Sequence, residues 1–336
     1  MNPTQGVKLL IADHRGQGTA THLAPMASAG LEVTTSVSLG RTLTLLESDA
    51  PDAIVLDPLA GGGSVELEKI QNYLKRTHTG LLVVSDPIDS LPTIRALRAL
   101  GNRAYDLVPR GAPLEEFQLR IDHLSQRVFS HQELEEARYR AMHDDLTDLL
   151  RPRAFNHRLF EHFSATQRHG LPMALVLMDL DRFGSINKRF NHTIGDRLIA
   201  EVGRAILDFL RAEDVGGRLG GDEFGMILPY TNRVDAARVV HRVRQRIERI
   251  SGRLDPLETI RVSTSLGFET FNGQDLDSVV TLREHAETAL KKAKARGGNC
   301  GVYYRAPDDE EPAWPSSAPA TPLAPDQDRP QPGSAI

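Results

Sequence analysis

The sequence predicts an α/β protein: a doubly wound parallel (βα)5 domain, then one long helix, then a second domain whose strand ends carry acids. Three observations predict it. Over residues 7–112, five short apolar or β-branched runs alternate with helix-length segments, the pattern of a parallel sheet covered by helices on both faces. From Pro113 to His143 no further glycine or proline interrupts the chain. Beyond it, apolar runs at Met173–Asp181 and Arg218–Leu228 both carry carboxylates at one end.

The bulk properties fit that division. At 336 residues the chain can bury two ordinary cores. A net charge of −5 and a pI near 6.2 argue against a general nucleic-acid binder. One cysteine, Cys300, excludes an intrachain disulfide framework and suits a reducing cytoplasm. No apolar run approaches the ~20 residues of a membrane span, and no signal-peptide pattern opens the chain. The expectation is a cytoplasmic, soluble protein without membrane insertion.

In the first domain the expected strands are Val7 to Asp13, Leu31 to Ser36, Ala53 to Asp57, Gly80 to Ser85 and Ala104 to Val108, with helices such as Val65 to Thr77 and Leu91 to Leu100. A ligand site in such a sheet lies at the carboxyl ends of the strands, where Asp13, Asp57 and Ser85 all fall. The arrangement resembles the receiver domain of two-component response regulators. The resemblance implies Asp57 as phosphoacceptor, Asp13 as a metal-binding acid, Ser85 as the hydroxyl that senses the phosphoryl group, and a histidine kinase as donor. Two residues depart from it. His14 replaces the second metal-binding acid, and Pro109 replaces the phosphate-pairing lysine, with Arg110 one place later. Imidazole is a poor Mg²⁺ ligand and proline offers no cation. Two readings stay open: a phosphorylated receiver, or a receiver-shaped partner domain that is never phosphorylated.

Pro113 suits the first turn of a helix. Phe117, Ile121, Leu124 and Val128, then Leu134, Ala137 and Ala141, form an apolar stripe, which predicts a short coiled-coil stalk and a parallel homodimer. The alternative is a helix folded back on its own domain.

In the second domain, Arg218 to Leu228 reads as a β-hairpin with Gly220 and Gly221 at its tip, supplying positive φ and open space for a ligand, and Asp222 and Glu223 beside them. Solvated turn acids alone would mean little. A second acidic strand end, Asp179-Leu180-Asp181, changes that. Clustered carboxylates need a cation, and hard oxygen donors near a nucleotide phosphate suit Mg²⁺.

From about Asp144 to Val302 these motifs resemble the GGDEF family of diguanylate cyclases, whose name is spelled by Gly220 to Phe224. The resemblance implies an α+β fold with a mostly antiparallel central sheet, similar to adenylyl cyclase and polymerase palm domains. It also implies one GTP per domain, Mg²⁺ or Mn²⁺ as cofactor, and two domains meeting face to face to make cyclic di-GMP and pyrophosphate.

By the same resemblance Asp179 and Asp222 hold metal with the Leu180 carbonyl, and Glu223 lies next to the reacting ribose hydroxyl. Amides around Phe183 and Gly184 cradle phosphates, Asn187 and Asp196 read guanine, Lys294 binds phosphate, and Gly221 leaves room for substrate. Helix capping is the competing reading of Asn187 and Asp196. Arg211 and Asp214 match an Arg-x-x-Asp site for product inhibition, the competing reading being a surface ion pair.

Departures are Asp148, Arg151 and Pro152 in the entry motif from Asp144 to Pro152, and glycines at 184 and 298 where cations are expected, with Lys188 and Arg296 nearby. Fewer cations favour an alternative in which a catalytically weak domain senses cyclic di-GMP. A phosphorylation-driven scaffold without nucleotide chemistry is a further alternative. The expected domains are 1–112, a linker 113–143, a cyclase domain 144–305 and a disordered Pro-rich tail 306–336.

Overall fold

A computed structural model describes residues 6–59, 63–86, 90–99, 104–251 and 260–305. The expected tail, 306–336, lies outside the described residues. The chain divides into two compact units, Met1–Arg138 and Tyr139–Ile336.

The first unit is the expected doubly wound sheet. Strands β1 (Lys8–Asp13), β2 (Glu32–Ser36), β3 (Ala53–Asp57), β4 (Gly80–Ser85) and β5 (Tyr105–Pro109) pair in parallel in the order β2-β1-β3-β4-β5. All five residues of β3 are buried, as a central strand covered on both faces requires. Helices α1 (Thr19–Leu23), α2 (Leu39–Ser48), α3 (Gly63–Arg76) and α4 (Ser90–Arg98) connect the strands, and α5 (Leu114–Met142) follows them. Asp13 and Asp57 stand opposite each other at the ends of β1 and β3.

Helix α5 corrects one expectation. Phe117, Ile121 and Leu124 pack into the same core cluster as Leu9, Val55 and Leu82, and Val128 is buried as well. This half of the stripe belongs to the unit's own core, so the folded-back reading holds for it. No described residue of α5 beyond Val128 is buried, and Leu134 stays exposed.

The second unit is a mixed sheet of order β10-β9-β6-β8-β7, comprising β6 (Met173–Leu180), β7 (Val215–Arg218), β8 (Glu223–Pro229), β9 (Thr264–Phe271) and β10 (Gly301–Tyr303). Only β10 pairs in parallel, with β9; the other contacts are antiparallel. Its helices are α6 (Pro152–His169), α7 (Phe183–Phe190), α8 (His192–Leu207), α9 (Arg233–Glu248) and α10 (Val279–Ala295). Every residue of β6 is buried. One core cluster joins β6 and β8 to α8 and α9; the other joins β6 to α6 and α10. Among the described residues, no helix is long and apolar enough to cross a membrane.

Helix α10 lies directly on β9 because Gly267 has no side chain. A Cβ there would come within 2.1 Å of the Leu290 backbone nitrogen and 2.4 Å of the Ala286 carbonyl oxygen. Backbone on both sides leaves no rotamer to yield. Gly267→Ala is therefore expected to destabilise the second unit by about 3 kcal/mol, lowering its thermal midpoint by roughly 6–12 °C. Differential scanning calorimetry checks this; an unchanged midpoint would mean that α10 is not seated on β9.

Candidate active site

Pairing of the central strands brings the acids together. In the antiparallel ladders Asp179 is the direct partner of Glu223 on β8 and of Ser265 on β9. Asp222, half-buried, immediately precedes β8, and its carbonyl accepts from the Leu180 amide at 3.2 Å. Leu180 is buried at the end of β6, whereas Glu223 is exposed. Lys294, in the last turn of α10, places Nζ 2.7 Å from Asp179 Oδ2. Burial is the largest influence on Asp179 and pushes its carboxyl above the usual range; Asp222 and Glu223 add to this, and Lys294 opposes it. A divalent cation at this edge would offset the same repulsion, so the donor set fits a hard metal ion.

Two parts of the expected site are built differently. Asp181 does not join the acid cluster. Its carboxylate accepts from Ser263 Oγ at 2.7 Å, Ser265 Oγ at 2.6 Å and the Asn299 amide at 2.8 Å. It anchors the turn into β10 instead.

The hairpin tip is also not a tight two-glycine turn, and neither Gly220 nor Gly221 has positive φ. Four residues, Leu219 to Asp222, separate the strands, and the amides of Leu219 and Gly220 donate to the Glu223 carbonyl at 2.8 and 3.3 Å. A wider loop reverses the chain without left-handed backbone. The glycines supply space: a Cβ on Gly221 would meet nothing within 4 Å, and one on Gly220 would lie 3.0 Å from Glu223 Oε2.

Beyond β6, Arg182 takes φ 57°, and α7 starts at Phe183. Gly184 is exposed in its first turn. Asn191, at φ 80°, ends α7, and its side chain caps α8 by accepting from the Ile194 amide at 3.2 Å. Asn191 is thus the cap; Asn187 and Asp196 lie inside the helices, which removes the capping reading of both. The buried Oδ1 of Asn187 has no partner among the described residues. It faces Gly195, where a Cβ would sit 1.9 Å from that oxygen and 3.2 Å from Phe183 Cζ. An unsatisfied buried acceptor in a recess that only glycine leaves open is a place for a ligand donor. Asp196 is exposed one residue further along α8.

The Arg211–Asp214 pair is neither an ion pair nor idle. The Arg211 amide donates to Asp214 Oδ2 at 2.9 Å, while the buried Oδ1 has no partner among the described residues. Burial, the largest cause, raises the Asp214 carboxyl above its ordinary value. The Arg211 side chain is exposed.

Arg218 is a site residue that the sequence reading did not assign. Its guanidinium donates to the Gly221 carbonyl at 2.8 Å and to both oxygens of Asp144 at 3.0 and 3.2 Å, tying the acidic turn to the entry motif. The signal lay in two segments 74 residues apart. Asp148, which departs from the expected glycine, sits at φ 60°, and its carboxylate accepts from the Tyr139 hydroxyl at 2.6 Å. That bond holds a backbone conformation glycine would adopt freely.

In the first unit, Asp57 is fully buried and takes a two-pronged contact from Arg110, at 2.8 and 2.6 Å, together with the Thr19 hydroxyl. Both Asp13 oxygens accept backbone amides, from Gly16 and Ala20. His14 turns away to Glu66 at 2.6 Å and Thr42 at 2.7 Å. Ser85 Oγ donates to the Asp86 carbonyl. Arg15 and Arg110 both bind Asp86, whose carboxyl lies below its ordinary value although burial, the largest influence, pushes it up.

Residues 141–300 match the family described as diguanylate cyclase, GGDEF domain. This segment is similar to GGDEF domains. Among curated proteins, the chain is 31% identical over 218 residues to the diguanylate cyclase DosC of Escherichia coli, covering 64% of this chain and 45% of DosC. It is 29% identical over 280 residues to the response regulator PleD of Caulobacter vibrioides, covering 77% of this chain and 60% of PleD. The chain thus spans about half the length of these relatives. Among solved structures it is similar to the coiled coil and GGDEF domain of DgcB from Caulobacter crescentus, in complex with c-di-GMP. That match has 25% identity and a TM-score of 0.50, and covers 56% of this chain and 98% of that one.

The Asp144–Arg218 pair gives the second unit a defined acid response. Burial, the largest influence on Asp144, raises its carboxyl, but hydrogen bonds from Thr147, Arg218 and the Leu146 amide, with the Arg218 charge, together outweigh it and hold the carboxyl below its ordinary value. A depressed carboxylate contributes stability above its unfolded value and loses it as pH falls through the folded one. In Arg218→Met only Thr147 and the Leu146 amide oppose burial, so the variant should be less stable than the wild type at pH 7 and lose less stability as pH falls, the two profiles converging toward pH 3. Denaturant titrations between pH 7 and 3 check this; coincident profiles would show that the pair contributes nothing.

Proposed function

We propose that the chain condenses two GTP molecules to cyclic di-GMP, each GGDEF domain holding one GTP and two copies of the chain meeting to complete the reaction. The observation that carries this reading is the convergence of Asp179, Asp222, Glu223 and Lys294 at one end of the central strands. The guanine amide hydrogens would meet Asp196, with Asn187 on the remaining edge. Backbone amides at the start of α7, around Phe183 and Gly184, would face the phosphates.

Asp179, Asp222 and the Leu180 carbonyl would hold Mg²⁺ or Mn²⁺, which when bound neutralises phosphate charge and favours ionisation of the ribose hydroxyl. Glu223, exposed at the start of β8, would accept the proton of the 3′-hydroxyl. That oxygen attacks the α-phosphorus of the partner copy's GTP, and pyrophosphate leaves. Each domain activates its own hydroxyl, so a monomer would be inactive. Product would bind at Arg211 and Asp214, where the free Asp214 oxygen can accept from guanine. Lys294 is the cation left at the phosphates when glycines stand at 184 and 298.

We further propose that the first unit is receiver-like in shape but does not accept phosphate at Asp57, because Arg110 already neutralises that carboxylate and His14, bound to Glu66 and Thr42, stands in place of the second metal-binding acid.

Incubation of the metal-supplemented, product-free protein with GTP should yield cyclic di-GMP. Asp222→Ala should lower synthesis by about 10²–10³-fold and leave cyclic di-GMP binding unchanged. If a dimeric wild-type sample makes none but binds cyclic di-GMP, the protein is a sensor and not a cyclase. For the first unit, acetyl phosphate should leave the intact mass of the wild type unchanged, and Arg110→Ala should cost about 3 kcal/mol by stranding a buried charge. A phosphoryl adduct on Asp57 would overturn that assignment.

A further inference from the structure

We propose that His78, His131 and Glu135 form a Zn²⁺ site that clips the segment between α3 and β4 to helix α5. His131 and Glu135 are one turn apart on α5 and so share a face. His78 approaches them from the segment after α3. Its Nε2 lies 3.2 Å from Glu135 Oε2, while His131 Nδ1 lies 3.7 Å from Glu135 Oε1. The two imidazole rings are 5.6 Å apart, and one ligand atom from each of the three residues falls within 4.8 Å of the others.

Zn²⁺ binds imidazole nitrogen and carboxylate oxygen at about 2.0–2.2 Å, so a tetrahedral site needs its ligand atoms roughly 3.4 Å apart. The spacings here bracket that value. The side chains remain 38%, 48% and 50% exposed, so small rotations can close the set without moving backbone.

The chemistry separates this site from the acidic edge of the second unit. Two neutral imidazoles offer two lone pairs beside one anion, a borderline-soft set that suits Zn²⁺ and does not suit Mg²⁺. Three protein ligands leave one coordination position for water. His78 and His131 border a groove of about 710 Å³ whose walls include Thr79, Asp106 and His123, which gives that water a route to solvent.

An ion here would add something that packing does not. Apolar contacts hold α5 as far as Val128, after which none of its described residues is buried. Coordination through His131 and Glu135 would fix the helix to the first unit for about two further turns. This would stiffen the stretch of α5 that leads out of that unit.

The test uses tag-free, full-length protein stripped with a chelator and kept in excess Mg²⁺, so that the carboxylates of the second unit do not compete. Calorimetric titration with Zn²⁺ should show one equivalent. His131→Ala and His78→Ala should each weaken it about tenfold or more, with metal-free far-UV spectra matching the wild type. X-ray absorption at the zinc edge should report two imidazole ligands. Zn²⁺ binding of equal strength in wild type and both variants would place the ion elsewhere and overturn the proposal, as would absence of binding to a folded wild type.

Discussion

The second unit depends on the register of β6. That strand is hydrogen-bonded on both sides and buried along its whole length, so its side chains alternate between two cores and a slip of one residue would exchange them. Locking the register fixes where the strand ends. Asp179 falls opposite Glu223 on one side and Ser265 on the other. The acids are held at a sheet edge by apolar packing remote from them, and electrostatic repulsion among them is the cost. Burial is the main reason that the Asp179 carboxyl is raised, and Asp222 and Glu223 add to it.

Much of this was legible in the sequence, because runs such as Ala53–Asp57 and Met173–Leu180 are apolar on both faces and can only be central strands. The acidic strand ends were legible for the same reason. What escaped was partner choice. Periodicity in α5 marks Phe117, Ile121, Leu124 and Val128 as one face but does not say what covers it, and the cover proves to be the unit's own sheet. Asp181 looks like Asp179 in a pattern of residue types. Only folding brings up the hydroxyls of Ser263 and Ser265, more than 80 positions later, to claim it. Arg218 and Asp144 were each visible, yet nothing local links them. Gly220 and Gly221 were read for both backbone freedom and open space, and their φ values leave only the second.

In the first unit the residues at the strand ends satisfy one another. Burying the Asp57 carboxylate without a counter-charge would be prohibitive. Arg110, one place beyond the expected lysine, reaches it with both terminal nitrogens and spans to Asp86 with Nε. This contact is the largest reason that the guanidinium binds its proton more tightly than usual. His14, the apparent defect at the acid position, is held in the opposite direction by Glu66 and Thr42. The two substitutions therefore act together: one withdraws a ligand from the pocket and the other fills the charge requirement that remains.

The two cations that the resemblance leads one to expect, at 184 and 298, are missing for different physical reasons. Gly184 is open: a Cβ there would meet nothing within 4 Å, and its φ is not positive, so backbone and space would admit a longer residue. Gly298 is constrained. Its φ is +83°, and a Cβ would approach the Asp181 carboxylate to 2.8 Å. That carboxylate is fixed in turn by Ser263, Ser265 and the Asn299 amide. Capture of Asp181 and the glycine at 298 are thus one arrangement: drawing the turn close enough to bond the acid removes the room a cation would occupy. Lys294, one turn earlier, remains paired with Asp179.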